Sequence, residues 1–529
     1  MNNAMKVLIT DAVDPQCIEI LKQEGLEVDY AVGGTPDQIR ERISSADALI
    51  VRSSTQVTAE LLEAGKLLKV VGRAGAGVDN IDVDTATRRG IVVMNTPGGN
   101  TVSTAEHTIS MMLALARNIP QASQSVKEGK WDRKTYVGTE VQGKTLGVIG
   151  LGKVGAEVAR RAACLGMKVL AFDPAQSKEF ATKIGAELVG FTDVLKGSDF
   201  VSVHSPLLPE TKGLIGEHAL QQCKLGVRII NCARGGIVDE QALLKALEAG
   251  KVAGAALDVF EKEPPVDSPL VSHPKVIVTP HLGASTDEAQ EKVAIQIAHQ
   301  VADALHGRDI SGSVNADIVR IAMQTGASSY LYLAGKLGQL LSQLKEGNLR
   351  SIVISVYGKV LRDALPAVSA AVLKGVFEKV LVEPVNLLNA PMIARERGIS
   401  VQLRQSDEHG LYMHVLSVEY QTEKEQRQFS GTVFGADDAR IVGIDEFHFE
   451  IKPEGNLLLY HNIDRPGMLA SVSSILAKSN INIGGLSLGR LGPGKKALTV
   501  VSVDTIVPSP VLAEISRLDG VTNVKTATL

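Results

Sequence analysis

Residues 145–173, TLGVIGLGKVGAEVARRAACLGMKVLAFD, leave the chain little choice of fold. A short apolar run meets Gly150, Gly152 and Gly155 in GxGxxG spacing, a helical stretch follows, and a second apolar run ends on Asp173. In such a strand–turn–helix the first glycine permits the tight turn and the second lets backbone approach a pyrophosphate. The third lets helix pack on strand. The helix N-terminus adds free N–H groups and a positive dipole end. A carboxylate at the end of the next strand accepts the ribose hydroxyls and repels a 2′-phosphate, so the pattern reads as a site for NAD rather than NADP.

The same unit continues through apolar runs ending on polar residues: His204 in FVSVHSP, Arg234 in VRIINCARGG, Asp258 in AGAALDVF and His281 in KVIVTPH. An arginine at the carboxyl end of a parallel strand is placed to hold a planar carboxylate by two parallel hydrogen bonds. Glu263, in LDVFEKEPP, precedes two prolines that stiffen its loop. Taken singly, His281 reads equally as a base or as a polar residue where the chain leaves the core. Glu263 alone reads as a solvated glutamate.

Residues 1–98 repeat the alternation of short strands and helices, with Arg52 and Arg73 at strand ends. That edge is where open α/β sheets bind ligands. A helix over about 101–118 leads into the glycine-rich unit. After His281, a helix with a capping box, Ser285 three before Glu288, returns the chain to the first domain. The predicted organisation is a split domain (1–98 and 285–315) around an insert (99–284). A mixed helix-and-strand segment follows (316–455), then a βαββαβ, ferredoxin-like end (456–529).

The bulk composition excludes other classes. A net charge of −4 recommends neither nucleic acid nor an anionic membrane. No apolar run is long enough to span a bilayer, and MNNAMKVLITDAVD enters a strand without an apolar leader. Four scattered cysteines form no CxxC pair, which fits a reducing cytoplasm and no metal site.

The ordered set GLGKVG, NCARGG, DVFEKEPP and TPHLGAST, with GRAGAGVDNID and NTPGGNTVSTAEHT, resembles the D-isomer-specific 2-hydroxyacid dehydrogenases. HNIDRPGMLASVSSILAKSNINIGG resembles an ACT domain, and the preceding segment the intervening domain of that family's long form. The resemblance implies an α/β fold with a flavodoxin-like split substrate domain, an inserted Rossmann-type NAD-binding domain, an α+β intervening domain and a regulatory ACT domain.

It assigns His281 as base, Glu263 as its carboxylate partner and Arg234 as holder of the substrate carboxylate. It puts the cofactor on Gly150, Gly152, Lys153, Val154, Gly155, Asp173, His204, Pro206, Thr211, Ala233, Arg234, Asp258, His281 and Gly283. The substrate falls to Arg52, Ser53, Arg73, Gly75 and Asn100. The cations at 52 and 73 point to a phosphorylated 2-hydroxy acid: 3-phospho-D-glycerate, oxidised to 3-phosphohydroxypyruvate at the entry to serine synthesis. Arg133 and Lys134 are either surface charges or contributed across a dimer. A homo-oligomer, dimer or tetramer, is implied. So is an L-serine effector held by Asn462, Asp464 and Asn482, although some serine-responsive relatives carry histidine where this chain has Asn462. The alternatives are a dehydrogenase for an unphosphorylated acid of the glycerate or glyoxylate type, and an NAD-gated protein-binding scaffold like the corepressors built on this fold.

Overall fold

The computed structural model describes residues 4–406 and 412–529. Its first sheet has five parallel strands, Lys6–Ile9, Glu27–Tyr30, Ala48–Val51, Val70–Arg73 and Val92–Asn95. They lie in the order second, first, third, fourth, fifth, which is the flavodoxin-like winding. These strands are buried on both faces, so they read as short continuous apolar runs rather than alternating ones.

The helix Asp287–Leu305 closes this domain from far along the chain. Its Val293, Ile297 and Val301 share one core with Val7, Ile9, Ile50 and Val70. Gly72 makes that approach possible, because a Cβ there would overlap Ile297 and Val301. The helix is capped by Thr286, whose side chain accepts from the Ala289 N–H at 3.2 Å. The expected capping box of Ser285 and Glu288 is therefore displaced by one residue, and its glutamate arm is not made.

The inserted domain is a seven-stranded parallel sheet. From one edge the order is Val276–Val278, Val252–Leu257, Val227–Asn231, Phe200–Val203, Thr145–Ile149, Lys168–Phe172, Glu187–Leu188. The winding reverses between Phe200–Val203 and Thr145–Ile149, so a switch point opens at their carboxyl ends. Helix Thr101–Arg117 packs its Ala105, Met112 and Leu115 into this sheet's core and belongs with the insert.

Beyond it, six strands form a mixed sheet: Leu349–Tyr357 pairs parallel to Ser400–Ser406 and antiparallel to Val415–Thr422. Three further strands, Gln426–Phe434, Asp438–Ile444 and Phe447–Ile451, were not expected from the sequence. The run LYMHVLSVEYQ reads as a strand, and its first residue, Leu411, lies outside the described residues. The last sheet is antiparallel in βαββαβ order, and its first helix, Met468–Lys478, starts two residues later than Pro466. One face of that sheet packs on its own helices through Leu458, Tyr460 and Val501. The other face, Leu457, Leu459 and Val500, enters the core that contains Leu337 and Phe429 of the preceding domain. Among the described residues no helix is long and apolar enough to cross a membrane.

Candidate active site

The glycine turn is built as its spacing requires. Gly150 has φ +93°, and a Cβ there would lie 2.8 Å from the His204 carbonyl. A Cβ on Gly155 would overlap the Gly150 carbonyl oxygen. Gly152, the N-cap of helix Lys153–Cys164, has open space where its Cβ would be and no side-chain cap. The helix end therefore presents unsatisfied N–H groups to the cleft, as a pyrophosphate needs. Asp173 is fixed by the Leu151 and Ala175 N–H groups, at 2.7 and 2.8 Å. A cleft of about 800 Å³ runs from Gly152 and Lys153 to Pro97–Gly99 and Lys292 of the split domain. These features fit an NAD dinucleotide.

Other expected cofactor residues fall around the same edge. The His204 imidazole bonds Ser202 Oγ at 2.8 Å, and burial pulls its pKa down to about 4, so it stands neutral. Thr211 Oγ1 donates to the Pro206 carbonyl at 2.6 Å and accepts from the Leu208 N–H, folding that loop on itself. Val154 is half-buried in the helix's first turn. Lys153 does not point free: its Nζ donates to the Pro97 carbonyl at 3.0 Å, tying the two domains.

At the carboxyl end of Val276–Val278, His281 Nδ1 lies 2.9 Å from Glu263 Oε2. Their side chains are 48% and 39% exposed, open to the cleft yet held. The hydrogen bond from Glu263 raises the His281 pKa above its ordinary value, burial opposes it, and the carboxylate charges add to it. Burial works against the charged Glu263 carboxylate, but His281 outweighs it and holds that pKa below the ordinary value. The other oxygen, Oε1, accepts the Phe260 N–H at 3.1 Å, so the glutamate cannot swing away.

Asp258 is 1% exposed, and its carboxylate is committed to the loop rather than open to the cleft. It takes the Thr279 hydroxyl at 2.5 Å and the Leu282 and Gly283 N–H groups at 2.7 and 2.8 Å. Its own carbonyl accepts the His281 N–H at 2.9 Å. His281 thereby sits in the left-handed region, φ +54°, where its neighbours over-determine it.

Arg234 stands opposite, on a turn braced by buried Asn231, which donates to the Arg234 carbonyl and accepts from the Ala233 N–H. The adjoining Gly235 touches the Phe260 carbonyl so closely that a Cβ there would overlap it. The Arg234 and Glu263 loops are thus packed backbone against backbone.

From the split domain, Asp79 pairs with Arg234 across the cleft at 3.2 Å. Arg73 donates to the Arg52 and Gly77 carbonyls at 3.2 and 2.6 Å. Burial lowers the pKa of Arg73, Asp79 opposes that, and the charges of Arg234 and Arg52 add to the lowering, so cations and carboxylates mix on this side of the cleft. Gly75 and Gly77 lie against the guanidinium groups of Arg73 and Arg234, where a Cβ would collide. Asp11, 4% exposed, holds the Arg52 loop by the N–H groups of Arg52, Ser54 and Thr55. Ser53 is exposed on that loop, and Asn100 starts helix Thr101–Arg117 without capping it through its side chain. Asp11, Asp79, His107, Asn231 and Thr279 were not read from the sequence. The strand-end positions of Asp11, Asn231 and Thr279 could have pointed to those three, while Asp79 and His107 carry no such mark.

The expected effector residues do not converge within one chain. Asn462 is 6% exposed and turned inward, with its Oδ1 accepting from Thr499 at 2.8 Å. Asp464 pairs with Arg490 at 3.2 Å. Asn482 bonds Asp504 at the opposite end of the sheet, because Ile483 pairs with Val503 whereas Ile463 pairs with Lys496. Arg133 and Lys134 lie on an exposed segment beside Trp131.

Residues 109–283 match the family described as D-isomer specific 2-hydroxyacid dehydrogenase, NAD binding domain. Residues 327–445 match the D-3-phosphoglycerate dehydrogenase intervening domain, and 456–520 the ACT domain. The D-3-phosphoglycerate dehydrogenase of Archaeoglobus fulgidus is 43% identical over 98% of each chain. That of Bacillus subtilis is 40% identical over 98% of this chain and 99% of its own, and the human one 45% over 76% of each. Among solved structures, the TT0316 protein from Thermus thermophilus is similar with TM-score 0.54 and 34% identity, covering 59% of this chain and all of that one. A D-lactate dehydrogenase from Aquifex aeolicus, solved with NAD and lactic acid, gives TM-score 0.53 at 29% identity over 58% of this chain and 98% of its own.

Proposed function

The chain belongs to the D-3-phosphoglycerate dehydrogenases of the D-isomer-specific 2-hydroxyacid dehydrogenase family, and from that premise we propose that it oxidises 3-phospho-D-glycerate to 3-phosphohydroxypyruvate, opening L-serine synthesis. NAD, when bound at the glycine turn, supplies the hydride acceptor. His281 removes the hydroxyl proton at its Nε2 as the C–H bond breaks. Glu263 holds Nδ1, fixes the tautomer and stabilises the imidazolium that forms. Arg234 holds the substrate carboxylate and polarises the growing carbonyl. Arg52 and Arg73 take the phosphate, with the Ser53 and Gly75 backbone beside them. The observation that carries this reading is the hydrogen-bonded His281–Glu263 pair at 2.9 Å, open to the cleft. His281→Ala should lower turnover by about 10²–10⁴-fold with the Kd for NAD nearly unchanged. Wild-type turnover in that variant would refute the assignment.

The finer regulatory reading rests on the ACT domain. We propose that L-serine binds where two copies pair, Asp464 of one meeting Asn482 of the other, since one chain keeps them at opposite ends of its sheet. A homo-oligomer, dimer or tetramer, follows. Asn462, buried and bonded, serves the core instead. Asp464→Ala should abolish inhibition by millimolar serine and leave basal turnover intact. An enzyme indifferent to serine would make this domain an assembly module. Four unpaired cysteines, three of them buried, support a cytoplasmic setting.

A further inference from the structure

We propose that His107, on helix Thr101–Arg117, is a positioning residue for the reaction, holding the loop that carries His281 through the Asp258 carboxylate. The proposal rests on the reading of His281 as base.

His107 Nε2 lies 3.2 Å from Asp258 Oδ1 and 3.2 Å from Thr279 Oγ1. Thr279 donates its own proton to Asp258, so both atoms present lone pairs to His107 and Nε2 must carry the hydrogen. The His107 side chain is 19% exposed, on a helix packed against the nucleotide-binding sheet, and therefore has a fixed platform. A carboxylate as buried as Asp258 stays ionised only if its oxygens are fully engaged. The loop supplies a hydroxyl and two backbone N–H groups. Among the described residues, His107 is the one donor in this knot that comes from outside Asp258's own neighbourhood at the sheet edge.

Asp258 acts on the base in two ways. Its carbonyl and carboxylate hold the N–H groups of His281, Leu282 and Gly283 in succession, which keeps His281 at positive φ and aims its ring at Glu263. Its charge also favours the imidazolium of His281, together with Glu263 and against Arg234. The ionisable groups around the knot are therefore His107, Asp258, Glu263, His281, Arg234 and Cys232, the last a buried thiol pushed up to about 12 and so neutral. Removing His107 leaves Asp258 short of one donor. The loop then loosens, and a less engaged, less ionised Asp258 supports the His281 imidazolium less.

His107→Ala and His107→Gln separate this role from simple filling of space, because the glutamine amide returns an N–H near the Nε2 position. The alanine variant should lose about ten- to a hundred-fold in kcat, the scale expected for a misplaced catalytic group, with KM for NAD within two-fold. Its kinetic pKa for the base should fall, and glutamine should recover most of the rate and return the profile toward wild type. Wild-type kcat and pH profile in the alanine variant would overturn the proposal. Equal loss in both variants accompanied by a lowered Tm would overturn it too, making His107 a packing residue. His281→Ala measured alongside distinguishes failures: if it too keeps its turnover, the base reading itself is wrong.

Discussion

His281 is the residue on which the chemistry turns, and its environment sets the direction of its pH dependence. Its pKa is raised chiefly by the Glu263 hydrogen bond, and a base in alcohol oxidation must be neutral. The oxidation rate should therefore climb as pH rises through a value above the ordinary 6.5 of histidine. Glu263→Gln removes the carboxylate, so the midpoint should move to lower pH while kcat falls. A pH–rate profile of kcat/KM reads both, and an unmoved midpoint would show that Glu263 does not act on His281. At the cofactor end, Asp173→Ala should weaken NAD and narrow its preference over NADP, as competitive binding would report. Asp173 and His281 were legible because each follows a strand at the sheet's carboxyl edge, where side chains meet ligand, whereas Glu263, in a loop, was legible only through the family resemblance. Asp79 and His107 were not: they act on that edge from a neighbouring loop and helix, and a side chain's partner across the fold leaves no mark in spacing.

Among the elements, the turns that carry Arg234 and Glu263 are a single packed unit through Gly235. Gly235→Ala places a Cβ inside the Phe260 carbonyl, so the backbone of both turns must shift. Such overpacking typically costs about 1–3 kcal/mol, and kcat should fall more than stability would suggest because both functional side chains move. Helix Asp287–Leu305 makes the complementary case. Ile297 is wholly buried beneath the first sheet, and Ile297→Ala should cost about 2–5 kcal/mol, measurable by chemical denaturation. The parallel sheets were readable because buried strands appear as short apolar runs. The cap at Thr286 was misplaced by one residue because Ser285 and Thr286 are equivalent as sequence, and only the backbone turn after His281 decides between them. Of the three strands after Thr422, Gln426–Phe434 and Asp438–Ile444 carry no clean alternation and so gave no period-two signal, whereas Phe447–Ile451 alternates strictly between buried and exposed residues and its signal was there to be read.

At the scale of the whole molecule, the intervening domain meets the split domain through the loop and helix around residues 386–396. Asn386 donates to the Gly90 carbonyl at 2.8 Å and Asn389 to that of Arg88 at 3.1 Å. Leu388 between them is buried in the core of the split domain, and Arg88 pairs with Glu396 at 3.0 Å nearby. The exposed ion pair is worth about 0–1 kcal/mol, so Glu396→Ala should leave the denaturation curve almost unchanged. Leu388→Ala should instead destabilise the split domain by about 2–5 kcal/mol although the residue belongs to the next one. Nothing in the sequence marks Leu388, since a single apolar residue in a loop has no periodicity. The order of the domains, by contrast, was readable from the motifs, because each glycine turn or strand-end motif fixes its own unit.

Whether this cleft oxidises a phosphorylated D-2-hydroxy acid with NAD turns on its preference among acids. Initial rates of NADH formation with 3-phospho-D-glycerate, D-glycerate and D-lactate, for the wild type and for Arg52→Ala, test it most directly. kcat/KM should strongly favour the phosphorylated acid, and Arg52→Ala should lower it about ten-fold or more for that substrate alone, the loss of one charge-assisted contact. Equal rates on all three acids, or an Arg52 variant that loses them in proportion, would contradict it.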